Sequence, residues 1–226
     1  MEHAPQTPTQ NQQPLENIIL VGFMGTGKSS LGRELHQNLG YQLIDTDHVI
    51  EKQTGKSIPD IFSQDGEATF RNLETEQLKQ LMAKKTSKHI ISTGGGIVCT
   101  PENRTILRQL GFVVWLKCSE EDIFERTSQN KNRPLLQCDD PMQAIKTLLE
   151  ERSPYYEETA HLEINTTGLS LDEVSCGILE SARYYFGSAW QHPSSTLLDK
   201  SCSKTPYVHI VCIHKTLLYQ FRYVHH

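Results

Sequence analysis

The 226-residue sequence lacks long apolar runs and a recognisable targeting segment. No stretch approaches the roughly 18 to 20 apolar residues that a membrane-spanning helix requires, and the mean hydropathy is −0.47. Residues 1–15 contain neither lysine nor arginine and no apolar segment, so they resemble neither a secretory signal nor a transit peptide. We therefore expect no membrane association, and we expect residues 1–15 to form a flexible leader.

Closely spaced cysteine pairs are also missing. The six cysteines are scattered along the chain and form no C-x-x-C pair. This spacing indicates neither a zinc site nor the disulfide framework of a small secreted protein. A reducing compartment fits best, and we expect the protein to be cytoplasmic.

An excess of positive charge is absent too. The formal net charge is −5 at pH 7, with 22 Lys and Arg residues against 27 Asp and Glu residues. Proteins that bind the nucleic-acid backbone cluster basic side chains against its phosphates. The composition therefore argues against a nucleic-acid partner.

What the sequence does contain is a repeated alternation of short apolar segments and helical patterns. The length allows one sizeable α/β domain. Apolar runs predict strands at 17–22, 41–44, 89–92, 112–116 and 161–165. Helices are predicted from Ser29 to about Gly40 and at 47–53, 58–64, 66–85, 101–110, 119–129, 140–153 and 171–186. Such alternation predicts a parallel sheet covered by helices on both faces.

The segment from Gly22 to Ser29 matches G-x-x-x-x-G-K-[S/T], the phosphate-binding loop, between a predicted strand and a predicted helix. Its glycines allow backbone N–H groups to surround phosphate oxygens, and the helix N-terminus adds partial positive charge. Lys28 can neutralise the β and γ oxygens, and Ser29 can ligate Mg²⁺. The loop predicts nucleotide binding but does not separate kinases from GTPases and ATPases.

Four further segments follow this loop in order. They are Asp45-Thr46-Asp47, Phe70-Arg71-Asn72-Leu73-Glu74, Gly94-Gly95-Gly96 and Arg133-Pro134-Leu135. Together with the loop they resemble shikimate kinase, and the resemblance runs from about Asn17 to Phe186. It implies a three-layer α/β/α P-loop kinase fold with a central parallel sheet, in a domain at 16–187, with a mobile lid at about 128–140.

The resemblance also implies a reaction and its participants. ATP, as co-substrate, would phosphorylate the 3-hydroxyl of shikimate, giving shikimate 3-phosphate and ADP in aromatic amino-acid (chorismate) biosynthesis. Mg²⁺ is the implied metal ion, and shikimate and ATP are the implied partners. A monomer is the implied oligomeric state.

Individual roles are carried over from the resemblance to the matching residues. The implied catalytic residues are Lys28, Asp47 and Arg133. The implied ATP-binding residues are Gly25, Thr26, Gly27, Lys28, Ser29, Ser30 and Arg133, with a weaker assignment of Asn165-Thr166-Thr167 to the adenine side. The implied shikimate-binding residues are Asp47, Arg71, Gly94, Gly95, Gly96 and Arg152. Ser29 and Asp45 are the implied metal ligands.

Two other classes of function remain open on sequence grounds. One is another small-molecule P-loop kinase, such as a gluconate or nucleoside monophosphate kinase, against which Arg71, the triple glycine and Arg152 argue. The other is a nucleotide-dependent switch or a non-catalytic homologue. The N-K-x-D guanine motif of GTPases is not present, since residues 130–133 read Asn-Lys-Asn-Arg. A non-catalytic homologue would be expected to lose several of the matching residues, and this chain retains them.

Residues 188–226 lie outside the resemblance and form an atypical C-terminal extension. They hold four basic residues, one acid and five of the ten histidines. The extension could be a disordered tail, a small added element with a strand at 207–213, or sequence foreign to the family. Irregular spacing makes its histidines weak candidates for metal binding.

Overall fold

The computed structural model describes residues 15–128, 134–136, 138–187, 190 and 221–224. Their strands are β1 (Ile18–Val21), β2 (Gln42–Asp45), β3 (His89–Ser92), β4 (Phe112–Lys117), β5 (Leu162–Asn165) and β6 (Phe221–Tyr223). They form one sheet in the order β2-β3-β1-β4-β5-β6. The first five strands are parallel, and β6 runs antiparallel to β5.

Eight α-helices accompany the sheet in the part of the chain just defined. They are α1 (Lys28–Leu39), α2 (Thr46–Thr54), α3 (Ile58–Gln64), α4 (Glu67–Ala83), α5 (Pro101–Leu110), α6 (Glu120–Ser128), α7 (Pro141–Thr159) and α8 (Leu171–Phe186). Short 3₁₀ turns occupy Ile97–Cys99 and Pro134–Leu136. None of these helices combines the length and apolarity needed to cross a bilayer.

The helices cover both faces of the sheet, which gives three layers. Alternate residues of a strand point to opposite faces. On one face Ile18 and Leu20 of β1 pack with α1 and α8, and on the other Ile19 and Val21 pack with α4, α5 and α7. All four β1 side chains are fully buried, as expected for a strand covered on both sides. The predicted fold class is confirmed.

The strand order creates a topological switch point at the carboxyl end of β1. Strand β1 lies between β3 and β4, so the chain leaves β1 towards β2 on one side and later reaches β4 on the other. Open α/β sheets bind ligands beyond the carboxyl ends of their strands at such a point. The phosphate-binding loop follows β1, and the triple glycine follows β3.

The structure corrects two of the predicted elements. The prediction ended this helix at residue 153, but α7 continues to Thr159 and includes Pro154, which has no backbone N–H to donate. The helix continues because buried Tyr156 and Thr159 anchor its last turns. The sheet is also not entirely parallel, since β6 from the C-terminal extension adds an antiparallel edge strand.

The extension contacts the domain at two described points. Trp190 is 5% exposed, and its indole N–H donates to the Tyr41 hydroxyl over 2.8 Å. In β6, Arg222 forms ion pairs with Glu157 at 2.6 Å and with Glu163 at 2.7 Å. The strand predicted at 207–213 and most of the leader predicted at 1–15 lie outside the described residues.

Candidate active site

A cleft of about 640 Å³ opens at the carboxyl ends of β1, β2 and β3. It brings together most of the residues that the sequence marked as functional. Its lining includes Gly25, Gly27, Lys28, Ser29, Ser30, Asp45, Asp47, Arg71, Gly94, Gly95, Gly96 and Arg152. Segments that are separate in sequence therefore face a single space.

The phosphate-binding loop forms one end of this cleft. Gly25 and Gly27 adopt positive φ angles of +83° and +93°, a region that side chains rarely enter. Nζ of Lys28 donates to the carbonyl oxygens of Gly22 at 2.7 Å and Phe23 at 2.8 Å, which holds the ammonium group inside the loop. Helix α1 starts at Lys28, so its N-terminus also faces the cleft.

Ser29 and Asp45 meet beside the loop. The Ser29 hydroxyl donates to Oδ2 of Asp45 at 3.1 Å. Oδ1 of the same carboxylate accepts a hydrogen bond from the backbone N–H of His48 at 3.3 Å and so caps helix α2. Hydroxyl and carboxylate oxygens are ligands that Mg²⁺ prefers, and Mg²⁺ in kinases takes few protein ligands alongside phosphate oxygens. This donor pair fits such an ion.

Each residue of the triple glycine has a close neighbour at the place where a side chain would begin. A Cβ atom at Gly94 would lie 2.6 Å from Oδ1 of Asp47 and 2.7 Å from Oε1 of Glu74. At Gly95 it would lie 3.1 Å from the backbone nitrogen of Met24, in the phosphate-binding loop. At Gly96 it would overlap the guanidinium group of Arg71. The three glycines therefore allow carboxylates, loop and guanidinium to converge.

Arg71 is fixed by two carboxylates of its own helix, α4. Its Nη1 lies 2.8 Å from Oε2 of fully buried Glu74, and its Nη2 lies 2.7 Å from Oε1 of Glu67. Burial alone would lower the pKa of Arg71, but the two carboxylates raise it above its ordinary value, so the guanidinium stays charged. Burial raises the pKa of Glu74 to about 7, against the opposing effect of Arg71.

Arg152 is the second guanidinium in the cleft, and it is held very differently. It is only 4% exposed, and its guanidinium carbon lies 5.9 Å from the centroid of the Phe23 ring. Its Nε and Nη1 atoms have no hydrogen-bond partner among the described residues. Leaving donors of a buried charge unsatisfied is costly. The arrangement is therefore suited to an anionic ligand that enters the cleft.

A smaller cavity of about 260 Å³ adjoins the other side of the phosphate-binding loop. Thr26, Gly27 and Ser30 border it on the loop side, and its far wall includes Arg126, Thr166, Leu169, Ser170 and Leu171. The predicted adenine-side segment thus lies partly along this wall. The Thr26 side chain is buried and donates to the carbonyl of Phe23 at 2.8 Å. Thr26 lines this smaller cavity and does not line the main cleft.

The structure also shows site residues that the sequence did not single out. Arg126 lines both cavities, and its Nη1 donates to the carbonyl of Gly25 at 3.4 Å. The Tyr156 hydroxyl donates to the carbonyl oxygen of Gly95. The sequence analysis assigned no role to either residue, because their contacts appear only in the folded chain. Arg133, predicted as a catalytic and ATP-binding residue, lies outside the described residues.

The phosphate-binding loop lies beside two oxygen donors that suit Mg²⁺ and beside a pocket whose guanidinium groups can bind an anion. All three lie at the carboxyl ends of the parallel strands, and this combination is that of a P-loop phosphotransferase. The family model described as "Shikimate kinase" matches residues 24–183. A shikimate kinase from Thermodesulfovibrio yellowstonii is 46% identical over 166 residues, which cover 74% of this chain and 94% of that protein. One from Acinetobacter baumannii is 42% identical over 173 residues, which cover 76% and 95%.

Solved structures give the same result. "Shikimate kinase from Acinetobacter baumannii in complex with shikimate" superposes with a TM-score of 0.72 at 40% identity, covering 76% of this chain and 96% of that one. The enzyme from Aquifex aeolicus gives a TM-score of 0.62 at 34% identity, covering 75% and 97%. The chain belongs to the shikimate kinase family, and it is thus a kinase that uses ATP.

Proposed function

We propose that the protein transfers the γ-phosphoryl group of ATP to the 3-hydroxyl of shikimate, giving shikimate 3-phosphate and ADP for aromatic amino-acid biosynthesis. The observation that carries this proposal is Arg152. Its buried guanidinium has two donor atoms without partners among the described residues, and it faces the cleft that contains the phosphate-binding loop. The ligand therefore needs an anionic group for Arg152 at one end and a hydroxyl group near the phosphate-binding loop at the other. A small hydroxylated carboxylic acid has both groups.

The carboxylate of shikimate would bind between Arg71 and Arg152. Guanidinium groups bind carboxylates through paired N–H donors, which fixes orientation as well as charge. Arg71 reaches this place because Glu67 and Glu74 hold it over Gly96. Orientation matters here because positioning of the two reactants supplies much of the rate enhancement in phosphoryl transfer.

The acceptor hydroxyl would face Asp47. In the transfer, the hydroxyl oxygen forms a bond to the γ phosphorus while the bond from that phosphorus to the β–γ bridging oxygen breaks, and ADP leaves. Asp47, in the first turn of α2 beside Gly94, would orient the hydroxyl and accept its proton. No covalent enzyme intermediate is required.

ATP would bind with its phosphates in the loop and its adenine in the smaller cavity. Gly25, Gly27, Lys28, Ser29 and Ser30 line the main cleft on the phosphate side. Lys28 would balance the charge on the transferring group. The cavity beside Thr26, with its wall at Arg126 and Thr166, has the apolar side chains Leu169 and Leu171 to contact a purine ring. Arg133 is proposed to join the phosphates from the lid at about 128–140.

A Mg²⁺ ion would be held by Ser29 and Asp45 together with phosphate oxygens. When bound, it neutralises charge on the β and γ phosphates. The hydrogen bond between these two side chains shows that their oxygens already point at one another. A cytoplasmic monomer completes the proposal, with residues 16–187 as the kinase domain, residues 1–15 as a leader and residues 188–226 as an added segment.

A coupled ADP-release assay tests the function directly. We expect ADP production to depend on both shikimate and Mg²⁺. Gluconate and the nucleoside monophosphates, the acceptors of the alternative kinases, should give no more ADP than the assay without acceptor. Turnover of one of those compounds without turnover of shikimate would contradict the proposal.

The role of Asp47 can be tested in the same assay. The Asp47→Asn protein should lose at least about 100-fold in kcat, because the amide cannot accept the hydroxyl proton. Binding of ATP, measured by calorimetry, should stay close to wild type. Full shikimate-dependent ADP production by this variant would remove the assigned role.

A further inference from the structure

Tyr156 does not line the cleft, but it contacts both the triple glycine and the central strand β4 from the helix that carries Arg152. It is fully buried on α7 and lies four residues after Arg152, so both side chains lie on the same face of the helix. Its hydroxyl donates to the carbonyl oxygen of Gly95, the middle residue of the triple glycine. One side chain therefore joins the helix that carries a guanidinium to the backbone beside it.

The Tyr156 ring is itself held against the central strands. It stacks on Trp115, with the ring centroids 5.5 Å apart and the ring planes at 21°. Trp115 lies on β4 opposite Val21, the last residue of β1 before the phosphate-binding loop. The ring thus has a fixed support, and the direction of its hydroxyl is set by the sheet.

Gly95, which accepts the hydrogen bond from Tyr156, also contacts the phosphate-binding loop. A Cβ atom on Gly95 would lie 3.1 Å from the backbone nitrogen of Met24, so the two backbones are already in close contact. A shift of the triple glycine would change the spacing between the loop and the acceptor pocket. The hydrogen bond from Tyr156 opposes such a shift.

The protonation state of Tyr156 suits this task. Burial raises its pKa above the ordinary tyrosine value, against a smaller opposing effect of Arg152. The hydroxyl therefore keeps its proton at physiological pH and acts as a donor to the Gly95 carbonyl.

We infer that Tyr156 is a positioning residue for the acceptor substrate, acting by locking the triple glycine to the helix that carries Arg152. The inference rests on the proposed function, because it takes the space between Gly95 and Arg152 to be the shikimate pocket. It assigns Tyr156 no contact with the reacting atoms. Loss of the hydroxyl should therefore affect shikimate and leave ATP almost unaffected.

The test is the Tyr156→Phe variant of the full chain, which keeps the ring and removes only the hydroxyl. Tyr155→Phe is the matched control, because Tyr155 is the preceding residue and its ring contacts Arg104 at 4.8 Å, away from the cleft. In Tyr156→Phe we expect the KM for shikimate to rise about five- to tenfold, as for loss of one hydrogen bond. The KM for ATP should stay within about twofold of wild type, whereas Tyr155→Phe should change neither constant.

A second readout does not depend on turnover. Saturating shikimate should raise the unfolding midpoint of Tyr156→Phe less than that of wild type, each compared with its own midpoint without ligand, while ATP should raise both equally. A purely structural role predicts a lower midpoint with the same ligand-induced increases and the same KM values. That result would overturn the inference.

Arg152→Lys separates failure of this inference from failure of the proposed function. A raised KM for shikimate in Arg152→Lys, with an unchanged value in Tyr156→Phe, would reject the positioning role and leave the carboxylate site in place. An unchanged value in both variants would reject the carboxylate site as well. A raised value in both, with the KM for ATP preserved, is the expected result.

Discussion

Nη1 of Arg71 lies 2.8 Å from Oε2 of Glu74, a carboxylate with no exposed surface. The pair joins the helix α4 to the acceptor side of the cleft, because the same guanidinium lies over Gly96. Glu74 thus orients a proposed substrate-binding residue from inside the core. Its ionisation is coupled both to folding and to the position of Arg71.

The stability of the protein should depend on pH through Glu74. Burial raises the pKa of Glu74 from 4.5 to about 7, so between these values the folded chain holds a proton that the unfolded chain releases. The resulting stabilisation is complete below pH 4.5 and is lost as the pH rises through about 7. Urea unfolding from pH 5 to 8 should therefore show wild type losing on the order of 1–3 kcal/mol relative to Glu74→Gln. Parallel pH profiles for the two proteins would contradict this expectation.

Asp45 should control the response to Mg²⁺. In Asp45→Asn the amide oxygen can still cap α2 at His48, so the fold should remain intact. The loss of negative charge should raise the Mg²⁺ concentration for half-maximal activity about 10- to 100-fold. A titration of activity with Mg²⁺ measures this, and Asp65→Asn, which breaks only a surface ion pair with Lys56, is the control. Equal titration curves for both variants would exclude Asp45 from the metal site.

Gly96→Ala should displace Arg71. The backbone at Gly96 has φ −104°, which alanine adopts easily, so the added methyl group acts only by its overlap with the guanidinium. We expect the KM for shikimate to rise about 10- to 100-fold, because the displaced guanidinium would lose one or two charged hydrogen bonds to the substrate carboxylate. The KM for ATP serves as the internal control. A variant with wild-type constants for both substrates would show that Arg71 is not needed at this position.

Removal of residues 188–226 should lower stability more than activity. The truncation deletes buried Trp190 and its hydrogen bond to Tyr41, together with β6 and the ion pairs of Arg222. Loss of one buried aromatic side chain costs about 3–5 kcal/mol, and part of that loss should be recovered by relaxation of its neighbours. Urea unfolding measures the change, and kcat and both KM values should stay close to wild type. Loss of shikimate phosphorylation at temperatures where the truncated chain is folded would reveal a functional role for the segment.

The sequence predicted most elements of the kinase domain because their patterns are strong and local. The strand at 89–92 and the helices at 58–64, 101–110 and 171–186 are confirmed at both ends. Two of these helices begin with a clear signal, which is Pro101 in α5 and a Ser170–Glu173 capping box in α8. The first five strands are also confirmed, within one or two residues at their ends.

The features that sequence did not predict depend on distant parts of the chain. Helix α7 passes Pro154 because Tyr156 packs on Trp115, a contact between residues 41 positions apart that no local rule reveals. Strand β6 pairs with the edge of β5, which is about 60 residues away in the sequence. In the site, the convergence of Arg71, Arg152 and the triple glycine on one cleft agrees with the predicted arrangement. The donation from Tyr156 to Gly95 involves a backbone carbonyl and leaves no pattern in the sequence.

The antiparallel strand β6 also bears on how the molecule behaves among its own copies. Without it, β5 would present its outer backbone N–H and C=O groups to other chains, and such exposed edges recruit strands into aggregates. Among the described residues the edge strand is then β6, which has three residues, and short edge strands discourage further strand addition. We therefore expect the pairing of β6 with β5 to reduce strand addition by other copies of the chain at this edge of the sheet.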